Sequence, residues 1–159
     1  VIVDDNDLAI AIKERDDIDF GRDIYRVSAL WVSDDRGRIL LAQRGHALHN
    51  GPGLWGPSVS GTVDDGETYE YNIYKEADEE LGIKDIKFEM LGKIFVDGHR
   101  RYFCTYYSAV IDDSYPFRLS PFEVADIKWM SRSQLIHDVT EFPHLYVDGM
   151  EQVVQRFLA

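Results

Sequence analysis

One stretch, from Gly61 to Ile83, constrains the fold of this chain more than any other. Between Thr68 and Leu81 it contains no proline and no interior glycine, which predicts a helix of about four turns. Thr68 is a favourable N-cap residue, and Gly82 can end the helix in the left-handed conformation. The sequence therefore predicts a helix with defined ends, entered through a polar loop.

The predicted helix combines a buried stripe with a cluster of acids. Its apolar residues recur at every fourth position and are Ile73, Ala77 and Leu81. Glu76, Glu79 and Glu80 stand at i, i+3 and i+4, where like charges repel one another. Carboxylate oxygens are the ligands that Mg²⁺ and Mn²⁺ prefer, so a divalent cation would reverse this repulsion. A solvated acidic helix face has the same spacing, so the spacing alone does not decide between them.

The surrounding residues make the pattern more specific. The stretch fits G-x5-E-x7-R-E-U-x-E-E-x-G-U, where U is a bulky apolar residue, at all but two positions. Lys75 replaces the arginine, and Ala77 is a small version of the apolar residue. On these residues the stretch resembles the Nudix box of the Nudix hydrolase superfamily. The whole chain is similar to the isopentenyl-diphosphate-isomerase-like group of these hydrolases.

The resemblance implies a role for each matching residue. The catalytic and metal-binding carboxylates would be Glu76, Glu79 and Glu80, with Glu76 also a candidate base. Gly61 would lend a backbone carbonyl to the metal, and Glu67 would brace the loop. Lys75 would keep the charge of the arginine but not its bidentate fork, so we expect looser geometry around the metal ligands. The implied cofactor is Mg²⁺ or Mn²⁺.

Three residues outside the box are candidates for the same site. Glu123, in a late loop, is expected to be one more metal ligand. The less favoured acids for that role are Asp112, Asp113 and Asp126. Arg44, at a strand end, is a candidate phosphate ligand because its planar fork matches a phosphate. Trp55, in a glycine-rich loop, is a candidate substrate contact.

The order of predicted elements indicates a mixed sheet covered by helices on both faces. Together with the resemblance, this predicts an α+β fold, a Nudix-type α/β/α sandwich in one domain, 1–159. An N-terminal hairpin lies within 1–23 and precedes a core, 24–158. The predicted strands of the core are 25–32, 38–43, 58–60, 86–96, 101–110 and 127–130. The loop 45–57 is predicted to be irregular, and helices are expected after Ser131 and around Met150 to Leu158.

Charge and cysteine content restrict the partners. The formal net charge is −12, and residues 61–83 contribute −7 of it. Such an acidic chain is not expected to bind long nucleic acid, whereas a small phosphorylated ligand that arrives with metal is compatible. The single Cys104 excludes an internal disulfide and is expected to be a buried core residue. We expect a cytoplasmic protein that does not bind membranes, with a homodimer left open.

The predicted function is Mg²⁺-dependent hydrolysis of a diphosphate linkage in a nucleoside diphosphate joined to another group. A second hypothesis is an isopentenyl-diphosphate-isomerase-like enzyme, but that chemistry needs a cysteine before the box. Here Ser58 and Ser60 stand in that stretch, and the histidine that follows the cysteine is also missing. A third hypothesis is a Nudix-fold nucleotide sensor without catalysis, and a fourth is a purely structural acidic helix. The box does not identify the substrate.

Overall fold

Strand β3 (Ile24–Ser33) is the centre of the sheet in the computed structural model, which describes residues 1–159. Along its whole length it pairs in parallel with β8 (Arg101–Val110). Three shorter strands share its other edge in antiparallel orientation, and they are β1 (Ile2–Val3), β6 (Val59–Thr62) and β4 (Ile39–Arg44). The sheet is therefore mixed, as predicted.

The remaining strands extend this sheet in antiparallel pairs. β2 (Ala9–Ala11) pairs with β1, and β7 (Glu89–Asp97) pairs with β8. β5 (Trp55–Gly56) and β9 (Val124–Met130) both pair with β4. The N-terminal hairpin thus belongs to the same sheet as the central strands.

Side chains alternate across the sheet and create two apolar layers. Leu30 and Leu40 face one side, where helix α1 (Tyr69–Leu81) packs. Trp31 and Leu41 face the other side, which is covered by α2 (Arg132–Glu141) and α3 (Met150–Phe157). This is the predicted α/β/α sandwich. No helix is both long enough and apolar enough to span a membrane.

The largest differences between the predicted and observed elements are the starts of two strands and one loop. β7 begins at Glu89 rather than at residue 86, and β9 begins at Val124 rather than at residue 127. β9 is longer because its pairing with β4 continues past an irregularity as far as Arg44. The prediction that loop 45–57 has no regular structure is wrong at Trp55–Gly56, which pairs with the end of β4. Tertiary pairing with a free strand edge overrides the weak local preference there.

Asp7 joins the N-terminal hairpin to three other elements. Its carboxylate accepts hydrogen bonds from Arg26 of β3 at 2.6 Å and from the Tyr69 hydroxyl at 2.9 Å, and it pairs with Lys93 of β7. Burial alone would raise the pKa of Asp7, but these hydrogen bonds outweigh it and hold the pKa below its ordinary value of 3.8. The charge of Asp7 therefore ties together β3, β7 and the first residue of α1.

Replacing Asp7 with Asn should lower the free energy of unfolding by about 2 kcal/mol at pH 7, because two cations lose their carboxylate. Asn tolerates the positive φ of 61° at this residue, so the backbone is spared. Because the folded-state pKa is lowered, the charge stabilises the fold above about pH 4, and this stabilisation is lost at lower pH. Denaturant titrations at several pH values should show the difference between wild type and variant shrinking below pH 4.

Asp5→Asn is the matched control, since the Asp5 side chain lies in the same turn and is 85% exposed. It should change the free energy of unfolding by less than about 0.5 kcal/mol. A difference between the wild type and Asp7→Asn that stays constant down to pH 2 would contradict this account of Asp7.

Candidate active site

Helix α1 begins and ends where the sequence predicts. The Thr68 hydroxyl accepts a hydrogen bond from the Tyr71 amide at 3.0 Å, and Gly82 has a φ of 67°. The Ile83 amide then donates to the Ala77 carbonyl at 3.0 Å, so the helix ends through the left-handed conformation of Gly82. The predicted apolar stripe is completely buried, and its members are Ile73, Ala77 and Leu81. The rotation of the helix about its axis is therefore fixed, and so are the starting points of the glutamate side chains.

Strand β6 brings the backbone of Gly61 directly against Glu76. A Cβ atom at Gly61 would overlap the Cγ and Cδ atoms of Glu76. β6 is held in this place because residues 59–62 pair with residues 27–30 of β3. Only a residue without a side chain permits this approach, which leaves the backbone of Gly61 next to the Glu76 carboxylate.

Gly61→Ala should therefore push Glu76 aside and reduce turnover by more than about tenfold, since small displacements at a reacting centre are costly. The cost in stability should be modest, because the displaced group is a side chain that can rotate away. Steady-state kinetics and thermal unfolding measure the two effects. Gly98→Ala is the control, because a Cβ there meets only one atom, at 3.9 Å. Equal activity of the two variants would contradict the prediction.

Glu67 contacts both the loop between β6 and α1 and the helix itself. Its carboxylate accepts hydrogen bonds from the Asp64 amide at 3.1 Å and from the Lys75 ammonium at 2.6 Å. Burial opposes ionisation of Glu67, but the bond from Lys75 and the other donors outweigh it and lower the pKa of Glu67. The Lys75 ammonium also lies 3.6 Å from Glu76 and 3.8 Å from Asp64. Lys75 thus makes one close contact and two looser ones.

Glu76 and Glu80 repel each other in a poorly solvated part of the site. Burial is the main reason why the pKa of Glu76 is raised to about 7, with Lys75 opposing the shift and Glu79 adding to it. The pKa of Glu80 lies well above its ordinary range, again because of burial first and then the charges of Glu76 and Glu123. Ionising these carboxylates together is therefore costly without a cation nearby.

The donor set fits a hard divalent cation. It consists of glutamate oxygens whose mutual repulsion a cation would relieve, beside the backbone of Gly61. No three His, Cys, Asp or Glu side chains converge closely enough to hold one ion as they stand. Ligation by three of these glutamates therefore requires rotation of their side chains. Glu79, the most exposed of the three box glutamates, has the greatest freedom to rotate.

Among the late acids, only Glu123 reaches the box. It lines a pocket together with Glu80, while the Glu80 carboxylate accepts a long hydrogen bond from the Ser60 amide at 3.4 Å. Asp113 instead pairs with Arg36 and Arg38. The side chains of Asp112 and Asp126 accept hydrogen bonds from nearby backbone amides. The geometry therefore supports the preference for Glu123.

Arg44 lines the same pocket and has no carboxylate partner within 4 Å. Its Nε donates to the Asn50 carbonyl at 2.7 Å, which leaves the rest of the guanidinium without a charged neighbour in contact. Burial lowers the pKa of Arg44, and the charge of Glu80 partly restores it. Arg44 is thus a half-buried cation beside acidic residues, a suitable place for a phosphate oxygen.

Trp55 lies apart from this group. It packs against the apolar layer under α2 and α3, and the Lys128 ammonium lies 4.1 Å from the centre of its ring. The pocket is lined instead by the residues that follow it, Gly56 and Pro57. The structure does not bring Trp55 together with the glutamates and Arg44.

Sequence reasoning missed two residues of the site. Ser60 and Asn72 have no assigned position in the box pattern, yet Ser60 contacts Glu80 and Asn72 contacts Glu67. A signal existed for Asn72, because it is a polar residue next to Ile73 on the buried side of the helix. A buried amide needs hydrogen-bond partners, and the box carboxylates are suitable acceptors for it.

Known proteins resemble this chain in sequence and in fold. The family model for the NUDIX domain matches residues 24–157. Isopentenyl-diphosphate Delta-isomerase 1 of Aromatoleum aromaticum is 24% identical over 165 residues, covering 100% of this chain and 92% of that protein. Prenyl-diphosphate phosphatase of Methanosarcina mazei is 40% identical over 92 residues, covering 58% and 53%. The crystal structure of DR0079 from Deinococcus radiodurans superposes with a TM-score of 0.85 at 19% identity, covering 99% and 98%.

Proposed function

Since this chain belongs to the NUDIX domain family, we propose that it hydrolyses the diphosphate linkage of a nucleoside diphosphate joined to another group, with Mg²⁺ or Mn²⁺ as cofactor. Membership confirms the resemblance of the box and makes the protein a Nudix hydrolase that acts on diphosphate-containing small molecules. The nucleoside part of the substrate and the choice of cation are the finer part of the proposal.

The pocket shared by Glu80, Glu123 and Arg44 is the observation that carries this proposal. Carboxylates and an unpaired guanidinium line one pocket, which suits a ligand that is itself anionic but arrives with cations. Phosphate oxygens could contact Arg44 directly, while the acids would be compensated by metal. A site for an uncharged ligand would not need this combination.

The reaction is an in-line displacement at phosphorus. A divalent cation held by Glu76, Glu79 and Glu80 would neutralise charge on the diphosphate and would make water a better nucleophile. Arg44 holds a non-bridging phosphate oxygen. Gly61 and Glu67 hold the box loop in its position against the helix. A box glutamate, Glu76 in the first instance, accepts a proton from the attacking water. The new P–O bond forms as the bond to the leaving phosphate oxygen breaks, and the leaving oxygen departs with the electron pair.

The proposal is tested with a panel of nucleoside diphosphate sugars, dinucleotides, nucleoside di- and triphosphates and coenzymes, each with Mg²⁺ or Mn²⁺. Phosphorus NMR in ¹⁸O-labelled water identifies which phosphorus atom received the new oxygen. We expect one compound class to be hydrolysed with metal and not with chelator. Absence of metal-dependent turnover for every compound would overturn the proposal.

Prenyl diphosphates are the second candidate substrates. The relative from Methanosarcina mazei is named as a prenyl-diphosphate phosphatase, and its aligned part is 40% identical to this chain. Isopentenyl and geranyl diphosphate therefore belong in the same panel. Preferred release of phosphate from these compounds would replace the nucleoside part of the proposal and leave the diphosphate chemistry in place.

The geometry does not favour an isomerase, despite the isomerase relative. The Ser58 hydroxyl is buried and bonds the Val32 amide and the Leu40 carbonyl, so it serves the sheet. Ser60 lines the pocket, but a serine hydroxyl is a poor acid or base. Cys104 is buried in the opposite layer, where burial raises its thiol pKa to about 12. Proton exchange into isopentenyl diphosphate in heavy water would revive the isomerase hypothesis.

A further inference from the structure

Asn72 is a completely buried amide in the middle of the interface between α1 and the sheet. Its Nδ2 donates to the Thr62 carbonyl and to Glu67 Oε2, both at 2.9 Å, and reaches Glu76 Oε1 at 3.5 Å. Its Oδ1 accepts a hydrogen bond from the Ser28 hydroxyl. Three acceptors on one side of the amide require the nitrogen there, which fixes the orientation of the side chain.

Ser28, on β3, is buried as completely as Asn72 and hydrogen-bonds it across the interface. Burying two polar side chains costs free energy unless their hydrogen bonds are made, and an apolar pair would avoid the cost. The neighbouring positions of the same interface, Ile73 and Ala77, are apolar. Packing alone therefore gives no reason for a serine and an asparagine here.

The two oxygens of Glu67 are held by different residues. Lys75 donates to Oε1 at 2.6 Å, whereas Asn72 and the Asp64 amide donate to Oε2. A lysine ammonium is a single point on a flexible stem, and its distance to Glu76 is 3.6 Å. Asn72 supplies a rigid second donor to Glu67, and its Nδ2 also lies 3.5 Å from Glu76 Oε1. It thus stands between the two carboxylates that an arginine fork at position 75 could otherwise bridge.

We infer that Ser28 and Asn72 form a positioning pair that, together with Lys75, does the work of one arginine fork and holds Glu67 and Glu76 in the orientation that binds metal. This inference rests on the proposed function. The hydroxyl of Ser28 fixes the amide plane of Asn72, and the amide fixes the two carboxylates. Neither residue touches the substrate.

The test measures Mn²⁺ affinity by the electron paramagnetic resonance signal of free Mn²⁺, alongside kcat and KM. Asn72→Ala should raise the Kd for Mn²⁺ by about 10- to 100-fold, as changes in groups that orient metal ligands usually do. Adding Lys75→Arg to Asn72→Ala should recover most of that loss, because the fork replaces the amide. Lys75→Arg alone should change the Kd by less than about threefold, since the amide already occupies that role.

Two further variants separate positioning from stability. Asn72→Ala alone leaves the buried Ser28 hydroxyl without its acceptor, so adding Ser28→Ala should restore part of the lost unfolding temperature while Mn²⁺ binding stays as weak as in Asn72→Ala. Ser58→Ala, which removes another buried serine of the same sheet, should lower the unfolding temperature without changing the Kd. If the role of Asn72 were merely structural, the Kd for Mn²⁺ would instead follow the unfolding temperature in all of these variants.

An Mn²⁺ affinity of the double alanine variant within twofold of wild type would overturn the inference, and so would a failure of Lys75→Arg to rescue Asn72→Ala. The wild type tests the proposed function separately. Absence of metal binding and turnover in the wild type would reject the proposed function. A metal-binding, active wild type with unaffected variants would reject only the role of the positioning pair.

Discussion

Replacing Glu80 with Gln is expected to reduce diphosphate hydrolysis by more than about 100-fold, because even changes behind the ligands of a metal site cost about 10- to 100-fold. The fold should not suffer. The pKa of Glu80 is raised well above its ordinary range by burial and by the charges of Glu76 and Glu123. Ionised Glu80 therefore destabilises the metal-free protein, and a neutral amide of the same shape removes this destabilisation. Thermal unfolding with chelator should show an unchanged or higher unfolding temperature.

Glu70→Gln is the control for this result. Glu70 lies on the same helix but is exposed and makes no ion pair. The activity and the unfolding temperature of Glu70→Gln should therefore match those of the wild type. The prediction for Glu80 is two-sided, with activity falling and stability holding. Undiminished turnover by Glu80→Gln would remove Glu80 from the site. A large loss of stability would instead show that its ionised form supports the fold.

Gly45→Ala should lower the free energy of unfolding by about 2 kcal/mol, a typical cost of forcing extra atoms into a packed place. A Cβ atom at Gly45 would overlap the carbonyl oxygen of Phe122, and the Gly45 amide donates to the Glu123 carbonyl at 2.9 Å. Because the obstructing atoms of Phe122 and Glu123 belong to the backbone, they cannot rotate away. The late loop must move, and it carries Glu123 with it. Activity should therefore fall together with stability.

Gly21→Ala provides the comparison, since a Cβ there meets only the Asp19 carboxylate at an ordinary 3.5 Å. Chemical denaturation and steady-state kinetics should leave this variant within about 0.5 kcal/mol and twofold of the wild type. If Gly45→Ala were as stable and as active as Gly21→Ala, the tight junction between β4 and the Glu123 loop would not matter for either property.

Much of the fold could be predicted from the sequence because local and global preferences agree. The Thr68 cap, the apolar stripe and Gly82 all specify the same helix, and the strands with alternating apolar residues were found within a few residues. The short strand at Trp55–Gly56 could not be found, because its pairing depends on the edge of β4 rather than on its own residues. The same reason explains the early start of β9.

The candidate site was predictable only where a pattern names residues. The resemblance identified the glutamates, Gly61 and Glu67, and the choice of Glu123 needed its loop position. The resemblance did not identify Asn72, because its importance depends on Ser28, a residue 44 positions away that only the folded sheet brings near. Trp55 shows the opposite case, since a large aromatic in a glycine-rich loop proved to be a partner of Lys128 outside the pocket.

Because of Asp7, the smallest unit expected to fold stably includes residues that precede the family match. The family match covers residues 24–157, but Asp7 lies before that boundary and forms ion pairs with Arg26 and Lys93 inside it. A fragment trimmed to the matched residues would expose two uncompensated cations beside Tyr69, where the box helix begins. The N-terminal hairpin thus supplies a negative charge that the core needs. Removing the hairpin would first destabilise the start of the glutamate helix.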